Sequence, residues 1–252
     1  MHMKWLLMSM AAVAALAVGP ASAADIPVKA PRAQLPAWSW AGSYFGVHGG
    51  GISGDINRFY ANSGVGPLNV KSDFDDAIFG LHGGTQWQFG QIVLGIESAI
   101  NFSPDEMKGT VVAPVPPFGA DISMRNRIRD LSTIGGRAGF AWDRVLLYGT
   151  GGYATGHVVA NYFTTSTGAE AFADFNGRTR LSGWYAGGGI DWVVARGELT
   201  ALILGVEYQH FDLDAKHIPI VNTSVAEQYS AGAKGDIIRA RFTVKYPTWW
   251  NR

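Results

Sequence analysis

Six charged residues, Glu97, Arg137, Asp191, Glu207, Arg239 and Arg241, each sit in a stretch of alternating apolar residues. A period of two puts them on the sheet face opposite the apolar side chains. Charges confined to a narrow interior cost several kcal/mol unless they are paired. A salt-bridge network is therefore expected, with Glu207 and Arg239 or Arg241 as first partners on neighbouring strands. Glycines on the same faces, Gly46, Gly80, Gly84, Gly187 and Gly189, leave room for long side chains. Such a network has two uses. It ties strands together as a plug, or it lines a polar path for small solutes.

Other constellations carry less chemistry. His48 and His82 are expected on adjacent strands facing one way, but two ligands fall short of a metal site. His210 and Asp212, with the acidic run Asp73, Asp75 and Asp76, have the residue types that activate a water. The plainer reading is solvated charge at loop edges. Gly149-Thr150-Gly151-Gly152 fits a loose nucleotide-binding pattern but precedes no helix, so it reads as strand glycine. No catalytic, cofactor-binding or metal residues are assigned.

Eight alternating segments must position these groups: 42–54, 75–89, 91–103, 128–142, 144–161, 179–194, 200–213 and 236–246. Each holds the roughly 9–11 residues of a tilted transmembrane strand. Tight turns at Phe89-Gly90-Gln91, Trp142-Asp143-Arg144 and Ala195–Glu198 alternate with long connections at 55–74, 104–127, 162–178 and 214–235. Outer-membrane barrels have this asymmetry, with short periplasmic turns and long outer loops. Ile92, Leu94, Ile96, Ile100 and Phe102 oppose Glu97. Trp184, Ala186, Ile190 and Trp192 oppose Tyr185 and Asp191. Leu202, Leu204, Val206 and Tyr208 oppose Glu207 and Gln209. The fifth segment, with Leu146-Leu147-Tyr148, has no clear faces. Aromatics gather near segment ends, at Trp87, Phe89, Phe102, Trp142, Trp184, Trp192, Tyr246, Trp249 and Trp250, as in girdles at lipid–water interfaces.

The composition agrees. Charged residues are 16%, aromatics 12%, glycines 33 and cysteines absent, and 20 basic residues balance 20 acidic ones. A neutral chain has no basic field for nucleic acid. Met1–Lys4, an apolar run over 5–18 and Ala21-Ser22-Ala23 form an expected signal peptide, cut after Ala23. An extended lead over 24–41, a barrel over 42–247 and a short tail over 248–252 complete the expected organisation.

Four motifs add a resemblance: Trp40-Ala41-Gly42-Ser43-Tyr44-Phe45-Gly46-Val47, Leu146-Leu147-Tyr148-Gly149-Thr150-Gly151-Gly152, Gly183-Trp184-Tyr185-Ala186-Gly187-Gly188-Gly189-Ile190-Asp191 and Gly205-Val206-Glu207-Tyr208. Together they resemble the small outer-membrane β-barrel proteins of alphaproteobacteria, in the OmpA-like/porin-like barrel superfamily. The resemblance spans essentially the whole expected mature chain. It implies an eight-stranded barrel, surface exposure and an envelope-integrity role. Such barrels end on an aromatic residue read by the insertion machinery. Here Phe242-Thr243-Val244-Lys245-Tyr246 resembles that end, but Pro247 to Arg252 continues beyond it.

The expected fold is thus all-β, an eight-stranded antiparallel up-and-down transmembrane β-barrel. The expected function is non-enzymatic: envelope integrity and surface display, with the lumen plugged by salt bridges. Alternatives are a narrow porin, an outer-membrane hydrolase using His210 and Asp212, and a soluble lipocalin-like barrel. Expected partners are outer-membrane lipid, lipopolysaccharide and the barrel-insertion machinery, without nucleic acid or cofactor; a homo-oligomer stays open.

Overall fold

The computed structural model describes residues 38–60, 68–104, 107–111, 121–171, 177–197, 200–217 and 229–246, all within the unit Trp38–Arg252. The expected signal peptide and the tail after Tyr246, with Trp249 and Trp250, lie outside the described residues. The strands are β1 (Gly42–Tyr60), β2 (Leu68–Phe89), β3 (Ile92–Phe102), β4 (Lys108–Val111), β5 (Ile122–Trp142), β6 (Val145–Thr164), β7 (Glu170–Ala171), β8 (Gly177–Arg196), β9 (Ala201–His217) and β10 (Tyr229–Tyr246). No helix among the described residues is long and apolar enough to cross a membrane.

Eight of these strands close into an antiparallel ring. Its order is β1-β2-β3-β5-β6-β8-β9-β10, and β10 returns to β1. That last seam runs from Ser43 opposite Tyr246 to Tyr60 opposite Tyr229 without a register shift. β4 lies beside β5 beyond the end of β3, and β7 beside the end of β6. β3 and β4 therefore act as one interrupted strand, broken near Met107, which is fully buried. The short turns need backbone that bends left. Gly90 has φ +63° and Asp143 φ 49°, and glycine and aspartate tolerate that region best.

The eight expected segments are the eight strands of the ring, but seven of them run longer toward the long-loop end. β1 reaches Tyr60, β2 starts at Leu68 and β10 at Tyr229. Much of each expected long loop is therefore strand. The reason is a switch of apolar face partway along each wall. On β2, Phe79 and Leu81 point outward, whereas Phe74 and Ile78 point inward and are buried. On β1, Phe45 and Val47 are outward, and Ile52 and Ile56 inward. On β9, Leu204, Val206 and Tyr208 are outward, and Phe211 and Leu213 inward. The lower wall is apolar outside, as lipid requires. The upper wall is apolar inside and polar outside, as water requires.

The lumen is consequently layered. At the short-turn end, Trp40, Val93, Ala141, Leu146, Tyr148, Val193, Ala201 and Ile203 pack together. At the long-loop end, Ile52, Ile56, Phe74, Ile78, Met107, Ile128, Leu131, Phe211 and their neighbours form a second apolar cluster. The charged residues lie between.

Candidate functional site

Inward positions on five strands build the charged layer: Glu97 from β3, Arg137 from β5, Asp191 from β8, Glu207 from β9, and Arg239 and Arg241 from β10. All six are at most 5% exposed. Arg241 donates to both oxygens of Glu97, Nη1 to Oε1 at 2.8 Å and Nη2 to Oε2 at 2.5 Å. It also pairs with Glu207. Arg239 stands directly opposite Glu207 in the β9–β10 register and donates to its Oε1 through Nε at 3.0 Å and Nη2 at 2.5 Å. Arg137 pairs with Asp191, and its Nη1 approaches Glu97 at 3.5 Å. Three guanidinium groups thus meet three carboxylates in one connected cluster.

Neutral groups complete it. Tyr44 donates its hydroxyl to Glu97 at 2.8 Å, and Tyr148 donates to Glu207 at 2.6 Å. Gln209 donates to Glu207 at 2.8 Å, and Arg239 Nη1 to Asn101 Oδ1 at 3.1 Å. The Arg137 guanidinium lies 3.5 Å from the centre of the Tyr148 ring. Inward glycines make these contacts fit. A Cβ on Gly84 would stand 2.6 Å from the Tyr44 hydroxyl, and one on Gly189 2.6 Å from that of Tyr148. Tyr148 escaped the sequence reading because the adjacent Leu146 and Leu147, just before it on β6, masked the alternation. Leu147 is in fact outward, and Leu146 and Tyr148 inward.

His48 and His82 face one another with their Nδ1 atoms 3.2 Å apart. Their Nε2 atoms contact Asn101 Oδ1 at 2.9 Å and Thr243 Oγ1 at 2.8 Å. Among the described residues no cluster of three or more metal-type ligands forms. Trp40, from the chain leading into β1, closes the short-turn mouth. Its indole donates to the Asp143 carbonyl at 3.2 Å, and Gln86 donates to the Trp40 carbonyl at 2.6 Å.

The hydrolase candidates do not converge. His210 and Asp212 alternate with the buried Gln209 and Phe211, so they sit on the outer wall. His210 lies 2.9 Å from Asp236, with its ring tilted against that of Trp184. The ladder runs His210, Asp236, Ser53, Asp75 across four strands. Three strand spacings put His210 about 14 Å from Asp75 along that wall. Asp73 instead hydrogen-bonds Lys71 at 3.1 Å, which with Asp55 holds the Lys71 ammonium above the usual lysine range.

Aromatic side chains line both edges of the apolar outer wall. Trp87, Phe89, Trp142, Trp192 and Tyr246 are 39–78% exposed at the short-turn end. Phe102 and Trp184 are exposed at the other end of the apolar belt, with Phe79 and Tyr153. Ile96, Ile190, Leu204, Val206 and Phe242 fill the belt between.

No protein-family model matches the chain. It is 28% identical over 229 residues to the 31 kDa outer-membrane immunogenic protein of Brucella melitensis, covering 86% of this chain and 91% of that one. It is 29% identical over 207 residues to the 22 kDa outer membrane protein of Rhizobium leguminosarum, covering 82% of this chain and 77% of the relative. Among solved structures, the outer membrane protease OmpT from Escherichia coli aligns with TM-score 0.46 and 9% identity over 81% of this chain and 97% of that one. With its apolar belt, its closed ring of eight strands and relatives named for the outer membrane, the chain is an outer-membrane β-barrel protein.

Proposed function

We propose that this barrel is a non-enzymatic structural component of the outer membrane, with a closed lumen and an outer end built for surface display. One observation carries the reading. Ion pairs from β10 reach β3 across the lumen and β9 beside it, between two apolar layers. Eight strands leave an interior just wide enough for side chains to fill. Ions crossing such a stack would have to break the charged cluster and wet both apolar clusters.

Surface display is supported by the walls that rise beyond the belt, and the Brucella relative is named an immunogenic protein. A hydrolase is disfavoured, because His210 and Asp212 lie on the outer wall rather than around a shared cleft.

Purified protein in planar lipid bilayers tests the closed lumen. The expected result is no stable conductance steps. Large, long-lived channels in every reconstitution would make the chain a porin. Screening peptide and lipid substrates tests the other half, since turnover lost on His210→Ala would make it a hydrolase.

A further inference from the structure

The upper outer wall is electrostatically lopsided. On β2, β9 and β10 it carries Asp73, Asp75, Asp212 and Asp236, with Lys71 paired to Asp73 and Lys234 opposite Asp212. On β5 and β8 it carries arginines, with His157 of β6 between them. A bulge on β5 between Ile128 and Leu131 places Arg129 and Asp130 together opposite His157 of β6, and His157 pairs with Arg180 of β8. Bulges of this kind re-aim side chains at barrel rims. Arg129, His157, Arg178 and Arg180 line one cleft of about 530 Å³ with Asp130 as its carboxylate. Asp130 is engaged by His157 at 2.8 Å. Arg180 is braced by Nε on Thr155 Oγ1 at 2.9 Å, and Lys216 by Ser182 just beside it.

The depth of this cleft is informative. The cross-strand rows below it read, in order, Ser132–Thr155–Ser182, Ile134–Tyr153–Trp184, Gly136–Gly151–Ala186 and Ala138–Gly149–Gly188. Hydroxyls thus lie under the arginines, then the aromatic edge of the belt, then a smooth lane. A Cβ on Gly136 would meet nothing within 4 Å, and one on Gly149 only a carbonyl at 3.8 Å. Along a strand tilted about 40°, Arg180 stands roughly 10 Å above Trp184. That is the level of lipid headgroups, whose layer is about 5–8 Å thick on each side of the hydrocarbon.

We propose that the β5–β6–β8 face binds a phosphorylated glycolipid of the outer leaflet, with its phosphates in the Arg129–Arg178–Arg180 cleft and an acyl chain along the lane beneath. The chemistry fits. Guanidinium groups hold phosphate through paired hydrogen bonds, and their attraction grows beside a low-dielectric wall. This inference does not depend on whether the lumen is closed.

The test uses the full barrel in detergent micelles, titrated with bis-phosphorylated lipid A, with dephosphorylated lipid A and with inorganic phosphate, read by native mass spectrometry. At about 1 kcal/mol per basic residue, R129Q/R178Q/R180Q should weaken bis-phosphorylated lipid A binding about 100-fold. Removing the phosphates from the lipid should do the same to the unaltered protein. Heat-modifiable migration checks folding, and R178Q/R180Q, expected to lose about 10- to 100-fold, stands in if the triple variant fails to fold. Equal binding of both lipids, or of both proteins, overturns the proposal. So does full displacement by millimolar inorganic phosphate, which would make the cleft a free-anion site. An arginine-dependent oligomer with unchanged lipid binding also overturns it, since the cleft would then be an interface between copies of the chain.

Discussion

Arg241 on β10 reaches Glu97 on β3, three strands away around the ring, with one guanidinium nitrogen on each carboxylate oxygen. The contact crosses the lumen and does not follow a ladder. Removing either partner leaves the other buried beside charges arranged for it. Arg241→Ala should lower stability by about 3–5 kcal/mol, because an unpaired buried charge costs more than the pair contributes. Urea unfolding in lipid vesicles, followed by tryptophan fluorescence, measures this. A loss below 1 kcal/mol would mean that the cluster does not hold the strands together.

Conductance should respond differently from stability. Arg241→Ala alone should remain silent in planar bilayers, because the apolar clusters around Trp40 and Ile52 persist above and below the gap. Combining it with Trp40→Ala removes the short-turn seal but leaves the outer one. Conductance should rise only when the Ile52–Phe74 layer is also thinned, for example with Phe74→Ala.

The tyrosine hydroxyls are the next test. Tyr148 donates to Glu207 inside the lumen. Tyr148→Phe keeps the ring over Arg137 and deletes only that hydrogen bond. Bonds to charged acceptors contribute about 1.5–3 kcal/mol, so a loss in that range is expected from vesicle unfolding.

Two glycines separate inside from outside. At Gly189 a Cβ would stand 2.6 Å from both the Tyr148 hydroxyl and the Val206 carbonyl, so Gly189→Ala should cost about 1–3 kcal/mol. At Gly136 a Cβ meets nothing within 4 Å, so Gly136→Ala should be neutral or stabilising by up to about 1 kcal/mol. Paired unfolding curves decide it, and equal effects would contradict the assignment of faces.

The outward face has its own test. Val206 is 43% exposed in the middle of the belt. Val206→Lys should cost about 2–4 kcal/mol in vesicles if that surface contacts lipid, because lysine near the bilayer midplane is penalised by that much.

Within the belt, sequence alternation located the strands and their faces well. Glu97 against Ile96, and Glu207 against Val206, are legible because lipid and lumen demand opposite chemistry on adjacent residues. Above the belt this contrast inverts, since water lies outside and the apolar groups turn in. Along β2 the switch falls between Phe74 and Phe79, and there the pattern reads as a boundary although the strand continues. The Ile52–Phe74 layer was unreadable for the same reason: an apolar residue inside the upper barrel looks like one outside the lower barrel. Tyr44 and Tyr148 were hidden differently. Their role depends on facing residues far away in the chain, and no local pattern encodes that.

The charge balance of the lumen also bears on how the chain enters the membrane. No strand carries its own neutralising partner. The carboxylates of β3, β8 and β9 await arginines from β5 and β10, and β10 supplies two of the three. A barrel lacking its final strand would hold one arginine against three carboxylates as well as an open edge. Electrical neutrality of the lumen, like closure of the backbone ladder, is thus a property of the complete ring and of no part of it.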